Sequence, residues 1–230
     1  MQKSNTFKMA VLGLSLLVVV AASVFFSSRG VYAIQAILHI AAFFFLFSAI
    51  GNTTGWIRYT LMALFTTNIF YIGFVTAEYS GDPSFSSIFI FFSLLSLFGT
   101  YVFVWERMSF KKMTFSIPFI VASLLLLIPS LLTLEYDIIL EAMVSVVGLA
   151  LLFKYKGEWL INAIVAFSSI IAANTFFELL AAYGIIGSVF TIFSAELVSA
   201  LALFLSAYIY IVSKEVLQAR VKAARWAVRE

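Results

Sequence analysis

Long apolar runs alternate with short polar breaks along the whole chain. Many runs reach the roughly 18 to 20 residues that a helix needs to cross the hydrocarbon of a bilayer. The pattern predicts an all-α, polytopic membrane protein with one domain, 1–213, built as a bundle of eight transmembrane helices. The expected spans are 7–26, 31–51, 56–77, 85–105, 114–134, 138–155, 159–183 and 187–213. A basic tail, 214–230, can continue the last span as a helix.

The breaks carry turn chemistry. Gly51 to Gly55, Glu78 to Ser84, Glu135 to Asp137 and Tyr183 to Gly187 hold glycine, proline, asparagine or acidic residues between apolar runs. Pro83 reads as a helix breaker in its loop, and Pro129 as a kink deep inside the fifth span. The first run resembles a signal peptide, with Ala21-Ala22-Ser23 as small residues near a cleavage point. Its length and the seven spans after it predict that it is retained.

Composition removes several classes. Of 230 residues, 63% are hydrophobic and 11% charged, which leaves no room for a soluble domain of ordinary size. Cysteine is absent, which excludes disulfides, thiolate metal sites and cysteine nucleophiles. The net charge of +3 sits in loops and tail, so it speaks of membrane topology rather than nucleic acid. With alternating spans, 13 of the 14 Lys and Arg residues fall on one side and only Arg29 on the other. Basic residues favour the cytoplasmic side, so both termini are expected there, in a plasma or cytoplasmic membrane. The other face is acidic: Glu78, Asp82, Glu135, Asp137 and Glu141.

Candidate chemistry gathers in the last two spans. Glu178 and Glu196 are carboxylates inside apolar helices, where ionisable groups face the bundle interior and find partners. Asn174 is one turn from Glu178 on the same face. By helical rise it lies level with Glu196, both roughly 16 Å from the turn at Ile185. Two readings stand: a polar clasp gluing helices together, or a ligand or cation site. His39, the only histidine, and Asn68 are further candidates. Glu141, one turn inside its helix, reads as an outer-surface carboxylate. Ser168-Ser169 reads as a small polar pair that lets helices approach closely.

Adding 106 to a residue number carries spans one to four onto five to eight, pairing Asn68 with Asn174 and Gln35 with Glu141. Four helices per half would make parallel repeats about an axis along the membrane normal. In the tail, Leu217, Val221, Ala224 and Val228 form a short heptad-like stripe that can dock a protein partner or a second copy. No catalytic motif, metal site or cofactor site is found, and no nucleic-acid partner is expected; the bilayer is the expected partner. The leading expectation is a non-catalytic sensor or membrane subunit that contacts a partner through its tail. The alternative is a transporter or channel for a cation, proton or small polar solute. A lipid-modifying enzyme comes last, for want of motifs.

Overall fold

A computed structural model describes residues 28–107, 117–154 and 159–227. All its regular structure there is helical: α1 (Ser28–Gly51), α2 (Gly55–Ser80), α3 (Pro83–Arg107), α4 (Ile117–Thr133), α5 (Tyr136–Lys154), α6 (Trp159–Ala182) and α7 (Ser188–Ala227). These correspond to the second to eighth expected spans. The expected first span, 7–26, lies outside the described residues, as do Val228 and the loop 108–116. Four stretches, 30–51, 55–80, 83–104 and 195–224, are long and apolar enough to cross a membrane. This is the architecture of a helical membrane protein.

The helix ends follow from local chemistry. Gly81 takes a left-handed φ of 77° after α2, and the Asp82 amide donates back to the Ala77 carbonyl at 3.0 Å. A glycine meets this backbone demand without a Cβ clash. Asp82 Oδ1 then accepts from the amides of Ser84 and Phe85 at 3.2 and 3.3 Å, capping α3. Pro83 is therefore the first residue of α3, where its missing N–H is no loss, and not a loop residue. Gly184, with φ 69°, ends α6 in the same manner, the Ile185 amide reaching the Leu180 carbonyl at 2.8 Å. The turn between α4 and α5 lacks such a residue. Leu134 holds φ 60° at 85% exposure, a conformation costly for a branched side chain. Leu134→Gly should raise stability by up to about 1 kcal/mol, visible as a higher midpoint of thermal unfolding in detergent.

The sequence pattern within each helix sorts large from small. On α1, Val31, Gln35, Leu38, His39, Ala42, Leu46 and Ala49 are buried at helical spacing, while Ile37, Ile40, Phe44 and Phe47 face outward. Polar and small residues inside with bulky apolar ones outside is the membrane pattern, in which packing and hydrogen bonds hold helices together instead of the hydrophobic effect. Buried serines and threonines recur throughout: Thr60, Ser93, Thr100, Ser145, Ser168 and Ser206 are among them. Ser168 meets Gly148 where α5 and α6 approach, as its small side chain led us to expect.

Six helices close a ring in the order α1, α2, α3, α5, α6, α7 and back to α1, and α4 lies outside against α5 and α6. The turns after α2, α4 and α6 mark one end of the ring, here the acidic end, with Glu78, Asp82, Glu135 and Asp137. Arg58, Lys214, Arg220 and Lys222 mark the opposite end. That opposite end is closed by apolar side chains that include Leu61, Tyr101, Val104 and Leu160. There α7 is tied to the α1–α2 turn, with Asn52 Nδ2 donating to Ser213 Oγ and Arg220 to Thr54 Oγ1, each at 3.4 Å. The tail as far as Ala227 continues the last helix: α7 runs unbroken for 40 residues, about 60 Å at helical rise. That is twice the roughly 30 Å of bilayer hydrocarbon.

Candidate functional site

From the acidic end inward, the ring encloses a cavity of about 520 Å³ to which all six helices contribute. Its lining changes with depth. Tyr32, Glu78, Pro83, Tyr136 and Asp137 stand around the mouth, and the far end is apolar, with Leu46, Leu64, Leu97, Ile164, Leu205 and Ile209. Two polar tiers lie between.

The upper tier is roughly 7 Å in from the helix ends. Asn174 on α6 donates from Nδ2 to Glu178 Oε1 at 2.9 Å and to Glu141 Oε1 at 3.1 Å. Glu178 is its neighbour one turn on, whereas Glu141 comes from α5. One amide nitrogen thus holds two carboxyl groups together, and the two also contact each other. Carboxylates this close repel unless a proton or cation lies between them. Asn174 is only 8% exposed, and its Oδ1 has no hydrogen-bond partner among the described residues. A buried acceptor left this way costs about 1–3 kcal/mol, so this tier is incompletely satisfied. Ser145 and Thr175 support it from one turn deeper, with their hydroxyls 3.1 Å apart.

The lower tier is roughly 16 Å deep. His39 Nδ1 lies 2.7 Å from Asn68 Oδ1, Asn68 Nδ2 donates to the His39 carbonyl at 2.9 Å, and His39 Nε2 lies 3.2 Å from Ser199 Oγ. The Tyr71 ring packs on the imidazole with centroids 4.3 Å apart. This tier joins α1, α2 and α7, and each ring nitrogen of His39 is engaged, which is what a packing histidine needs. At the mouth, Ser86 bonds Glu78 across α2 and α3.

The expected residues therefore divide. Asn174 and Glu178 come together and line the cavity, as do His39 and Asn68. Glu196 is 1% exposed on α7 and does not belong to the cavity lining, although its neighbours Ala195 and Val198 do. Of the cluster drawn from the sequence, Asn174 and Glu178 meet in the cavity, where Glu141 joins them. The outer-surface reading of Glu141 is corrected with it: α5 turns this carboxylate into the ring. Tyr71, also in the lining, was not singled out, and Gln35 and Asp137 were named only for the spacing of 106 and for the acidic face. The one sequence signal for Glu141 was its pairing with the buried Gln35 at the spacing of 106. In the tail, Leu217 and Val221 are exposed, as a docking stripe requires.

No protein-family description, curated protein or solved structure matches this chain.

Proposed function

We propose that the protein is a membrane receptor or sensor that binds a small ligand in the ring cavity and passes its occupancy to the far side through α7. One observation carries this reading: the same unbroken helix walls the cavity with Ala202, Leu205 and Ser206 and continues to Ala227, longer than the bilayer hydrocarbon needs. A ligand that prefers one placement of α7 over another shifts the population of its exposed end. Leu217 and Val221 would be the surface that reads this out to a protein partner or a second copy. On the positive-inside count we read the acidic mouth as facing outside the cell and both termini as cytoplasmic. A volume of about 520 Å³ suits a small organic molecule, for which sites span roughly 300–1,000 Å³.

Transport is the second reading, favoured by the Glu141–Glu178 pair, since carboxylates at such depth mark ion and proton paths. Against it, the basic end of the ring is closed by the apolar side chains of Leu61, Tyr101, Val104 and Leu160. The ring order also supports the duplication. A half-turn about the membrane normal carries α1, α2 and α3 onto α5, α6 and α7, and every contact between ring neighbours onto another such contact. In both halves the second helix offers an asparagine, Asn68 or Asn174, to the helix before it. We read the bundle as two parallel repeats, with α4 the outer member of the second half.

Because the chain has no cysteine, single cysteines test the readings directly. Ser87→Cys in the mouth should react with a membrane-impermeant thiol reagent added outside intact cells. Ile209→Cys at the apolar end should resist the reagent from either side. Reaction of Ile209→Cys from the tail side would establish a through-path and overturn the receptor reading; failure of Ser87→Cys would overturn the orientation.

A further inference from the structure

We propose that the cavity takes a primary ammonium ligand with an apolar or aromatic body, its nitrogen held by Glu141, Glu178 and the unpartnered Oδ1 of Asn174. This deepens, and rests on, the receptor reading.

The donor count comes first. A primary ammonium offers three N–H donors and no acceptor. The upper tier offers two carboxyl groups and one buried amide oxygen without a partner among the described residues. Asn174 donates to one oxygen of each carboxyl, and the two carboxyls also meet each other, a contact that an ammonium between them replaces. A single cation there offsets the repulsion of the pair and satisfies Oδ1 in the same step. Charge-assisted bonds of this kind are about twice as strong as neutral ones.

Charge and shape narrow the class. Among the described residues no Lys or Arg belongs to the lining, whereas Glu78 and Asp137 stand at the mouth and concentrate cations ahead of it. An anion therefore finds nothing to pair with. Calcium takes 6–8 oxygen ligands, and no group of three His, Cys, Asp or Glu suited to a metal exists among the described residues. A bare ion would also leave most of about 520 Å³ unfilled. Beneath the carboxyl pair the wall turns aromatic and aliphatic, with Tyr71, Phe74, Phe167 and Ile171. An aromatic face adds to the attraction for a cation and then packs against the ligand's body.

The test uses the full chain in nanodiscs with 2-phenylethylamine as probe and 2-phenylethanol as its neutral counterpart. Binding is read by calorimetry and by the midpoint of thermal unfolding. The amine should bind at least tenfold more tightly than the alcohol, and Glu178→Gln and Glu141→Gln should each remove most of that difference. Equal binding of amine and alcohol would overturn the ammonium assignment while leaving a ligand cavity in place. Stabilisation by sodium or calcium chloride with no response to the amine would overturn it in favour of an inorganic cation. No binding of either organic probe, with Ser87→Cys still labelled from outside, would also overturn it. Failure of that labelling instead strikes the receptor reading itself. The amine-to-alcohol comparison is made on the unaltered chain, so it decides even where a variant does not fold.

Discussion

Gly148→Leu should leave little or no folded protein. A Cβ built at Gly148 would lie 2.5 Å from Ser168 Cβ, 2.6 Å from Ser168 Oγ and 3.2 Å from the Tyr101 ring. Ser168 is fully buried and its hydroxyl already donates to the Ile164 carbonyl at 2.8 Å, so it cannot swing away. Relief must come from parting α5 and α6, and those helices carry both carboxyl groups of the upper tier. Over-packing of a tight core costs about 1–3 kcal/mol and occasionally more; three further heavy atoms beyond that Cβ put this site at the upper end. The matched control is Gly99→Leu on α3, where a Cβ meets nothing within 4 Å. Size-exclusion profiles and unfolding midpoints of the two variants check the expectation. If Gly148→Leu matched Gly99→Leu, the close approach of α5 and α6 would be refuted.

That contact shows what the sequence makes legible. Ser168 and Gly148 are small residues in apolar runs, and small residues in membranes announce close helix approach. Helices, turns and the pairing of Asn174 with Glu178 follow likewise from helical period and turn chemistry. What the sequence withholds is rotation. Apolar residues surround each helix here, so periodicity alone does not say which side faces the ring. Glu141 and Glu196 show the consequence. Both are carboxylates near the acidic end, yet α5 turns Glu141 into the cavity and α7 turns Glu196 out of its lining. The ring order itself depends on non-local contacts, such as α7 closing on α1, that no local pattern encodes. Pro83 was misplaced for a narrower reason: proline both breaks helices and begins them, and the capping by Asp82 decides which.

Asn174→Asp should be among the most damaging single changes that add no bulk, and it should be rescued by a second change. The Asn174 amide is the donor that lets Glu141 and Glu178 sit together, at 3.1 and 2.9 Å. Aspartate has the same shape but no N–H. It removes both hydrogen bonds and places a third carboxyl group beside two others in a buried site. Hydrogen bonds to charged groups contribute about 1.5–3 kcal/mol each, so the expected loss is roughly 3 kcal/mol or more before the added repulsion. Glu178→Gln in the same chain supplies an amide one turn along α6 and takes one carboxyl away. The double variant Asn174→Asp/Glu178→Gln again holds two carboxyls and one amide within the same three positions. It should therefore be more stable than Asn174→Asp alone, giving a coupling of at least about 1.5 kcal/mol in a double-mutant cycle. Glu196→Gln, placed off the lining, should show no such rescue of Asn174→Asp. The cycle is measured by thermal or denaturant unfolding in detergent with all variants in one buffer. Additive effects of Asn174→Asp and Glu178→Gln, or equal rescue by Glu196→Gln, would dissolve the three-residue cluster and the binding site built on it.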